Sequence, residues 1–255
     1  MIQIRLDKNS RICYTSKGMR AAEHLLLARF FDYQQISFHK TVQALELVLN
    51  EAVESLLRRE RLDCSVQAIE EMIADGRWCA FDDAYVISAI REAASSPDIE
   101  DSEKDVFRSV LNRNPPKLIM GWERFGSGEA QKTRALIEKM INVHIDQWRE
   151  DYGLRFWPWA RSTSLTKIGQ NVPLSEVPVG NAEDELYDKI QQAVLILPEG
   201  SGKPVTLQED DRSLVSVLSD HALYAVRVYA LLPPGDERLA EIRSRVRRDL
   251  GPVVE

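Results

Sequence analysis

Four residues near the start of the chain have types and spacing suited to anion recognition. Arg29, Tyr33, Ser37 and Lys40 follow one another at intervals of 4, 4 and 3. On a continuous helix they form one line along one face. Two long cations with a phenol and a hydroxyl between them can hold a phosphate or a carboxylate. The guanidinium forks onto two oxygens and the ammonium adds a point charge. Apolar residues surround the line at Leu25, Leu26, Leu27, Phe30, Phe31, Ile36 and Phe38. The plainer alternative is that Arg29 pairs with a core acid and Lys40 reaches solvent.

The element that must position this line is the longest helical pattern in the sequence, from Ala21 to about Arg59, which contains neither glycine nor proline. Its first half is apolar nearly all round and is expected inside. In its second half Phe38, Val42, Leu45, Leu49, Ala52 and Leu56 form a stripe expected to be buried. At ~1.5 Å per residue such a helix would be roughly 60 Å long, so a break within it is one outcome.

Around this helix the chain reads as follows. Residues 1 to 15 alternate as a β-hairpin, with Ser16 as an N-cap. Ser65 caps a helix from Val66 to Ala74 that ends at Gly76, and Asp82 caps another to about Ala94. A helix from Glu103 to Asn112 is stopped by Pro115-Pro116. Leu118 to Met120 are extended and lead into a turn from Gly121 to Gly128. A helix runs from Glu129 to about Asp151, before Gly153. Residues 154 to 182 follow, with Pro158, Pro173 and Pro178, and RFWPWARSTSLTKI within them reads as extended. AVLILPEG and KPVTLQ form a hairpin through Gly200-Ser201-Gly202. Asp211 caps a helix from Ser213 to His221. YAVRVYALL is the clearest strand, and Asp236 caps a final helix to Leu250. The fold class is α+β and mostly α: a helical body on one long central helix, residues 1–152, followed by a small α+β lobe, residues 153–255.

Composition excludes several function classes. With 44% hydrophobic and 29% charged residues the chain is that of a globular protein. A formal net charge of -7 argues against nucleic acid or an anionic membrane as partner. No apolar run approaches the ~20 residues that span a bilayer, and the N-terminus lacks the apolar region of a secretory signal. Cys13, Cys64 and Cys79 show no CxxC spacing, which suits a reducing cytoplasm. No HExxH, GxSxG or Walker A motif is present; GSGEAQK at 126–132 lacks the GK[ST] ending. His24, His39, His144 and His221 form no metal-ligand spacing, and neither Cys64 nor Cys79 has a base partner in sequence. The expectation is therefore no catalytic residue and no metal ligand within this chain.

A resemblance gives the anionic ligand a class. GMRAAEHLLLARFFDYQQISFHKTVQALELVL resembles a stretch of the bacterial HD-domain phosphohydrolases, relatives of the deoxynucleoside triphosphate triphosphohydrolases. The matching residues are Ala22-Glu23, Leu25 to Leu27, Ala28-Arg29, Phe30-Phe31 and His39-Lys40-Thr41. WCAFDDAYVISAI, VLNRNPPKLI with Arg113 and Lys117, and VRVYAL resemble later parts of the same family more loosely. The resemblance implies a metal-dependent phosphoester hydrolase acting on nucleotides. It assigns Arg29 and its neighbours to substrate phosphate or sugar, and His39 and Lys40 to a nucleotide or a subunit contact. Arg29, Tyr33, Ser37, His39 and Lys40 are the candidate substrate-binding residues. Where many relatives have Tyr-x-His-Lys, this chain has Ser37-Phe38-His39-Lys40.

In relatives the His, His-Asp and Asp metal ligands lie upstream of this helix. The chain thus resembles the C-terminal half of such an enzyme. The expected partners are a metal-carrying HD half, on another chain or a removed N-terminal segment, and a nucleotide, within a homo- or hetero-oligomer. A divalent metal is expected only in that complete assembly. A non-catalytic relative that binds a nucleotide or another subunit is the alternative. An exposed apolar patch on the first half of the helix would point to a missing partner.

Overall fold

The computed structural model describes residues 3–8, 10–165, 193–200 and 203–254. The fold is α+β and mostly α. The N-terminal alternation forms the expected hairpin: β1 (Ile4–Leu6) pairs antiparallel with β2 (Ile12–Thr15), with Arg5 opposite Cys13. Ile2 lies outside the described residues. The Ser16 cap does not form. The chain turns through Thr15 to Gly18, whose N–H donates to the Thr15 carbonyl at 2.8 Å. Helix α1 (Met19–Asp32) then starts with Gly18 as its cap, without a side-chain bond.

The long helix is not continuous. After α1 comes one π-helical turn, Tyr33–Ser37. His39 is extended at φ -62°, ψ 127°, and α2 (Lys40–Arg58) begins after it. The buried side of α2 is Ala44, Val48, Ala52 and Leu56, while Val42 and Leu49 of the expected stripe are exposed. Phe38, Ala52 and Leu56 of that stripe are buried as expected, and small Ala44 and Ala52 allow close packing on this side of the helix.

Short-range signals place the next elements. Ser65 accepts from the Ala68 N–H to open α3 (Val66–Ala74), and Gly76 adopts φ +69° after it. Asp82 accepts from the N–H groups of Ala84 and Tyr85 to open α4 (Asp83–Ser95). Helix α5 (Asp101–Leu111) follows. The turn expected from Gly121 is instead part of a ten-residue strand, β3 (Lys117–Gly126). Glycine is tolerated at a sheet edge, and β3 is an edge strand in the order β3-β7-β4. After β3 come α6 (Gly128–Tyr152), β4 (Phe156–Ser164), β5 (Leu195–Leu197) and β6 (Val205–Thr206). The extended reading beyond Leu165, and Ser201-Gly202 of the second hairpin, lie outside the described residues; β5 and β6 do pair antiparallel. Helix α7 (Leu214–Leu218) is capped by Ser213, which accepts from the Val215 N–H, and not by Asp211. β7 (Ala222–Ala230) is buried from Leu223 onward, as the central strand of its sheet requires. Helix α8 (Leu239–Leu250) closes the described chain before a 3₁₀ turn. Asp236 stands two residues before the cap, Arg238, accepting from the Arg238 N–H at 2.9 Å and pairing with the Arg238 guanidinium at 2.7 Å.

The chain divides into two compact units whose segments interleave. One comprises Met1–Ile36, Trp122–Glu138 and Ala160–Val226; the other comprises Ser37–Gly121, Lys139–Trp159 and Arg227–Glu255. The first is built on the sheet β1-β2-β5-β6, in which β2 and β5 are parallel. Met19, Ala22, Ile196, Leu207 and Val215 form its core. Buried Glu23 ties α1 to α7, accepting from Ser213 Oγ at 2.9 Å, from the Leu214 N–H at 2.7 Å and from Arg20 at 2.8 Å. The second unit packs α2, α4 and α5 around Val48, Leu56, Ile90, Val106 and Phe107, with Trp157 of β4 completing the cluster. Glu51 of α2 accepts from both Arg155 and Trp157 Nε1. Trp148 Nε1 donates to Asp249 at 2.8 Å. Among the described residues no helix is long and apolar enough to cross a membrane.

Candidate functional site: the break between α1 and α2

A helix break leaves carbonyls without intrahelical donors, and each needs a partner if buried. Here two side chains supply them. Gln43 Nε2 donates to the Ser37 carbonyl, and Arg227 Nη1 of β7 donates to the Phe38 carbonyl. Arg227 is 8% exposed, with its guanidinium 4.8 Å from the centre of the Trp159 ring. Phe38 is buried edge-on against Trp159 at 5.4 Å. Both the carbonyl and the ring of Phe38 are thus held. The π turn and extended step are a built feature, and such turns concentrate at functional sites. Tyr229, two residues along β7, has a buried hydroxyl without a well-aligned hydrogen bond. Burial pushes its pKa up, and nearby Arg227 offsets part of that rise.

The break sets His39 and Lys40 at the start of α2. His39 Nδ1 accepts from the Thr41 N–H at 3.3 Å, which leaves the ring proton of this exposed side chain on Nε2. Lys40 is the first helical residue, and the first turn of α2 holds no acid. A lysine there opposes the positive end of the helix dipole, an arrangement costing ~0.3–1 kcal/mol. The same charge adds to the free N–H groups of that end, the combination that attracts anions. Ser37, at the end of the π turn, is exposed.

Arg29 and Tyr33 meet in the other unit. The Arg29 guanidinium lies 5.5 Å from the Tyr33 ring centre, and both side chains are exposed. The predicted line therefore holds for Arg29 and Tyr33, one helical turn apart. It does not run on through Ser37 to Lys40, because the backbone leaves the helix between them. The first half of the pattern is also not interior: Leu25 is 63% exposed and Ile36 59%. Residues 25 to 36 border a row of rings. Phe30 stands edge-on to Phe31 at 5.8 Å and to Phe125 at 5.9 Å, and Phe125 stacks on His221 at 5.6 Å. His221 Nδ1 lies 2.5 Å from Asp220 Oδ1. Sequence reading missed Phe125 and set His221 aside. It also missed the service of Gln43 and Arg227 to the break. A cation inside the apolar run YAVRVYALL was the one visible signal for Arg227.

The divalent metal that the resemblance implies finds no donor set here. Among the described residues no group of three or more His, Cys, Asp or Glu is placed to hold a metal ion. His39 serves as a helix cap, and His144 stacks on Trp148 at 6.0 Å.

No family model matches this chain, and no curated protein matches it. Solved structures do. One is a hypothetical protein from Aquifex aeolicus, 16% identical with a TM-score of 0.58, the match covering 96% of this chain and 49% of that one. Another is a phosphohydrolase from Bacteroides thetaiotaomicron, 16% identical with a TM-score of 0.48, covering 88% of this chain and 53% of that one. The Aquifex likeness is one of fold. The chain spans about half the length of each of these structures.

Proposed function

We propose that the chain is the phosphate-binding part of an HD-type nucleotide phosphohydrolase. In this reading its metal-carrying half comes from another polypeptide or another segment. The observation that carries the proposal is Lys40 at the start of α2. It is exposed, has no acid in its turn, and stands beside a histidine cap at the end of a helix that already attracts anions. These are residues of the His39-Lys40-Thr41 match to the HD phosphohydrolases. The roles follow from the chemistry. Lys40 and the α2 N–H groups neutralise phosphate oxygens, His39 donates from Nε2, and Ser37 offers a hydroxyl. In the other unit Arg29, beside the Tyr33 ring, is a separate candidate for a forked contact to an anion. Glu23, though part of the matching motif, ties α1 to α7 and stays out of the chemistry. In an HD enzyme the metal would supply the activated water; the described residues here do not hold it, and they bind and orient the substrate instead.

The exposed apolar side chains Leu25, Phe31 and Ile36 fit a surface that meets a partner. The test is to titrate the chain with nucleoside triphosphates by thermal shift, and then to assay phosphate and triphosphate release with Mg²⁺ or Mn²⁺ and an HD-bearing polypeptide. Stabilisation lost in Lys40→Ala, together with release in the mixture, supports the proposal. Stabilisation without release identifies a nucleotide-binding subunit that does not turn over. Neither effect with any nucleotide sinks both.

A further inference from the structure

A second basic site stands between α4 and α5. The two helices enclose an open cleft of about 460 Å³, lined by Arg91 and Ser95 of α4 and by Lys104, Arg108 and Asn112 at and beyond α5, with Ala94 and Leu111 as its apolar floor. Three of these residues are cations and none is an acid, in a chain whose net charge is -7. The acids paired with two of its cations do not line the cleft. Asp101 reaches Lys104 at only 3.5 Å, and its own side chain is 88% exposed. Asp105 pairs with Arg108 at 3.1 Å and is 58% exposed. Such solvent-facing pairs neutralise little. Lys104 is the telling member: its side chain is only 15% exposed. A lysine so far withdrawn from water, with one long contact, is short of counter-charge. The Arg91 guanidinium and the Asn112 amide have no hydrogen-bond or ion-pair partner among the described residues. The cleft therefore holds unspent donors at several points and no acceptor of matching charge.

We propose that this cleft binds a compact phosphate anion of the diphosphate class. Arg91 and Arg108 grip it as forks, Lys104 neutralises it from the buried side, and the Asn112 amide donates an edge contact. The volume suits a small polyanion at the lower end of ligand-pocket sizes. The site uses neither Lys40 nor Arg29, so it is independent of the function proposed above.

The probe is inorganic pyrophosphate, titrated by calorimetry at constant ionic strength set with NaCl, with hydrogen exchange to locate the response. Wild-type chain is expected to bind it and to gain protection over residues 91–112. Arg91→Ser and Lys104→Gln each weaken binding by about tenfold or more, the loss of one charge-assisted contact. Arg91 is exposed, so its variant keeps the fold, which far-UV circular dichroism checks. A Lys40→Glu chain keeps the 91–112 response, separating this site from the break. Three results each overturn the assignment: pyrophosphate acting no differently from NaCl, protection elsewhere, or unchanged affinity in Arg91→Ser.

Discussion

Arg227→Ala tests whether the break between α1 and α2 is held from β7. The guanidinium makes a charge-assisted bond to the buried Phe38 carbonyl, worth ~1.5–3 kcal/mol. It also lies 4.8 Å from the Trp159 ring in a desolvated setting, which adds about 1–2 kcal/mol. Removing the cation relieves the cost of burying it, which trims the sum. The expected loss is about 3 kcal/mol, read by equilibrium urea unfolding with an unchanged slope. Arg227→Met keeps the apolar volume and is expected to lose about 2 kcal/mol, since the Phe38 carbonyl still lacks its donor. Amide exchange across residues 38 to 44 should accelerate in both variants, because that carbonyl fixes the entry to α2. A loss below about 1 kcal/mol with unchanged exchange would show that the break does not depend on Arg227.

Other expectations follow from the same geometry. Glu23→Ala should cost about 2–4 kcal/mol, because Ser213 and the Leu214 N–H lose a buried acceptor; chemical denaturation checks it. Burial alone would raise the Glu23 pKa, but the bonds from Arg20, Leu214 and Ser213 together hold it below the ordinary 4.5. Its contribution is thus complete above pH 4.5 and is lost as pH falls below that value, a dependence Glu23→Gln should flatten. Asp98, held down to about 2 by hydrogen bonds from Ser96 and then Arg61, should stay ionised in an NMR titration well below its ordinary 3.8; a midpoint near that value would remove the cluster. Leu25→Glu with Ile36→Gln, both on exposed positions, should change stability by less than about 0.5 kcal/mol. The pair should also reduce association of the chain in sedimentation runs. Unaltered association would take the α1 surface out of the partner contact.

The elements that sequence reading placed well are those fixed by neighbours along the chain. Ser65 and Asp82 accept N–H groups two or three residues on, and β7 shows its apolar run within nine residues. The break was not legible because its second support comes from Arg227, 189 residues after Phe38. Without that donor the apolar text from Ala21 to Arg59 favours one helix. The stripe holds at Phe38, Ala52 and Leu56, while Ala44 and Val48 are buried where Val42 and Leu49 were expected. Asp211 and Asp236 misled as caps because a neighbouring Asp-x-Arg step intervenes. Asp210 holds the Arg212 N–H and guanidinium, as Asp236 holds those of Arg238, so each helix begins later. In the candidate site, the pairing of Arg29 with Tyr33 was readable from helix spacing. The setting of His39 and Lys40 at a helix start was not, because it exists only once the helix is broken.

Lys40→Glu tests the central claim most directly. It places an acid where the dipole of α2 favours one, so the free chain should gain about 0.3–1 kcal/mol. The same change should abolish the protection of residues 37 to 44 against amide exchange that nucleoside triphosphates are proposed to confer at fixed ionic strength. A chain that is more stable alone and whose residues 37 to 44 no longer answer to the triphosphate is the predicted result. A variant that loses stability, or whose residues 37 to 44 respond to the triphosphate as the wild type's do, would contradict the account.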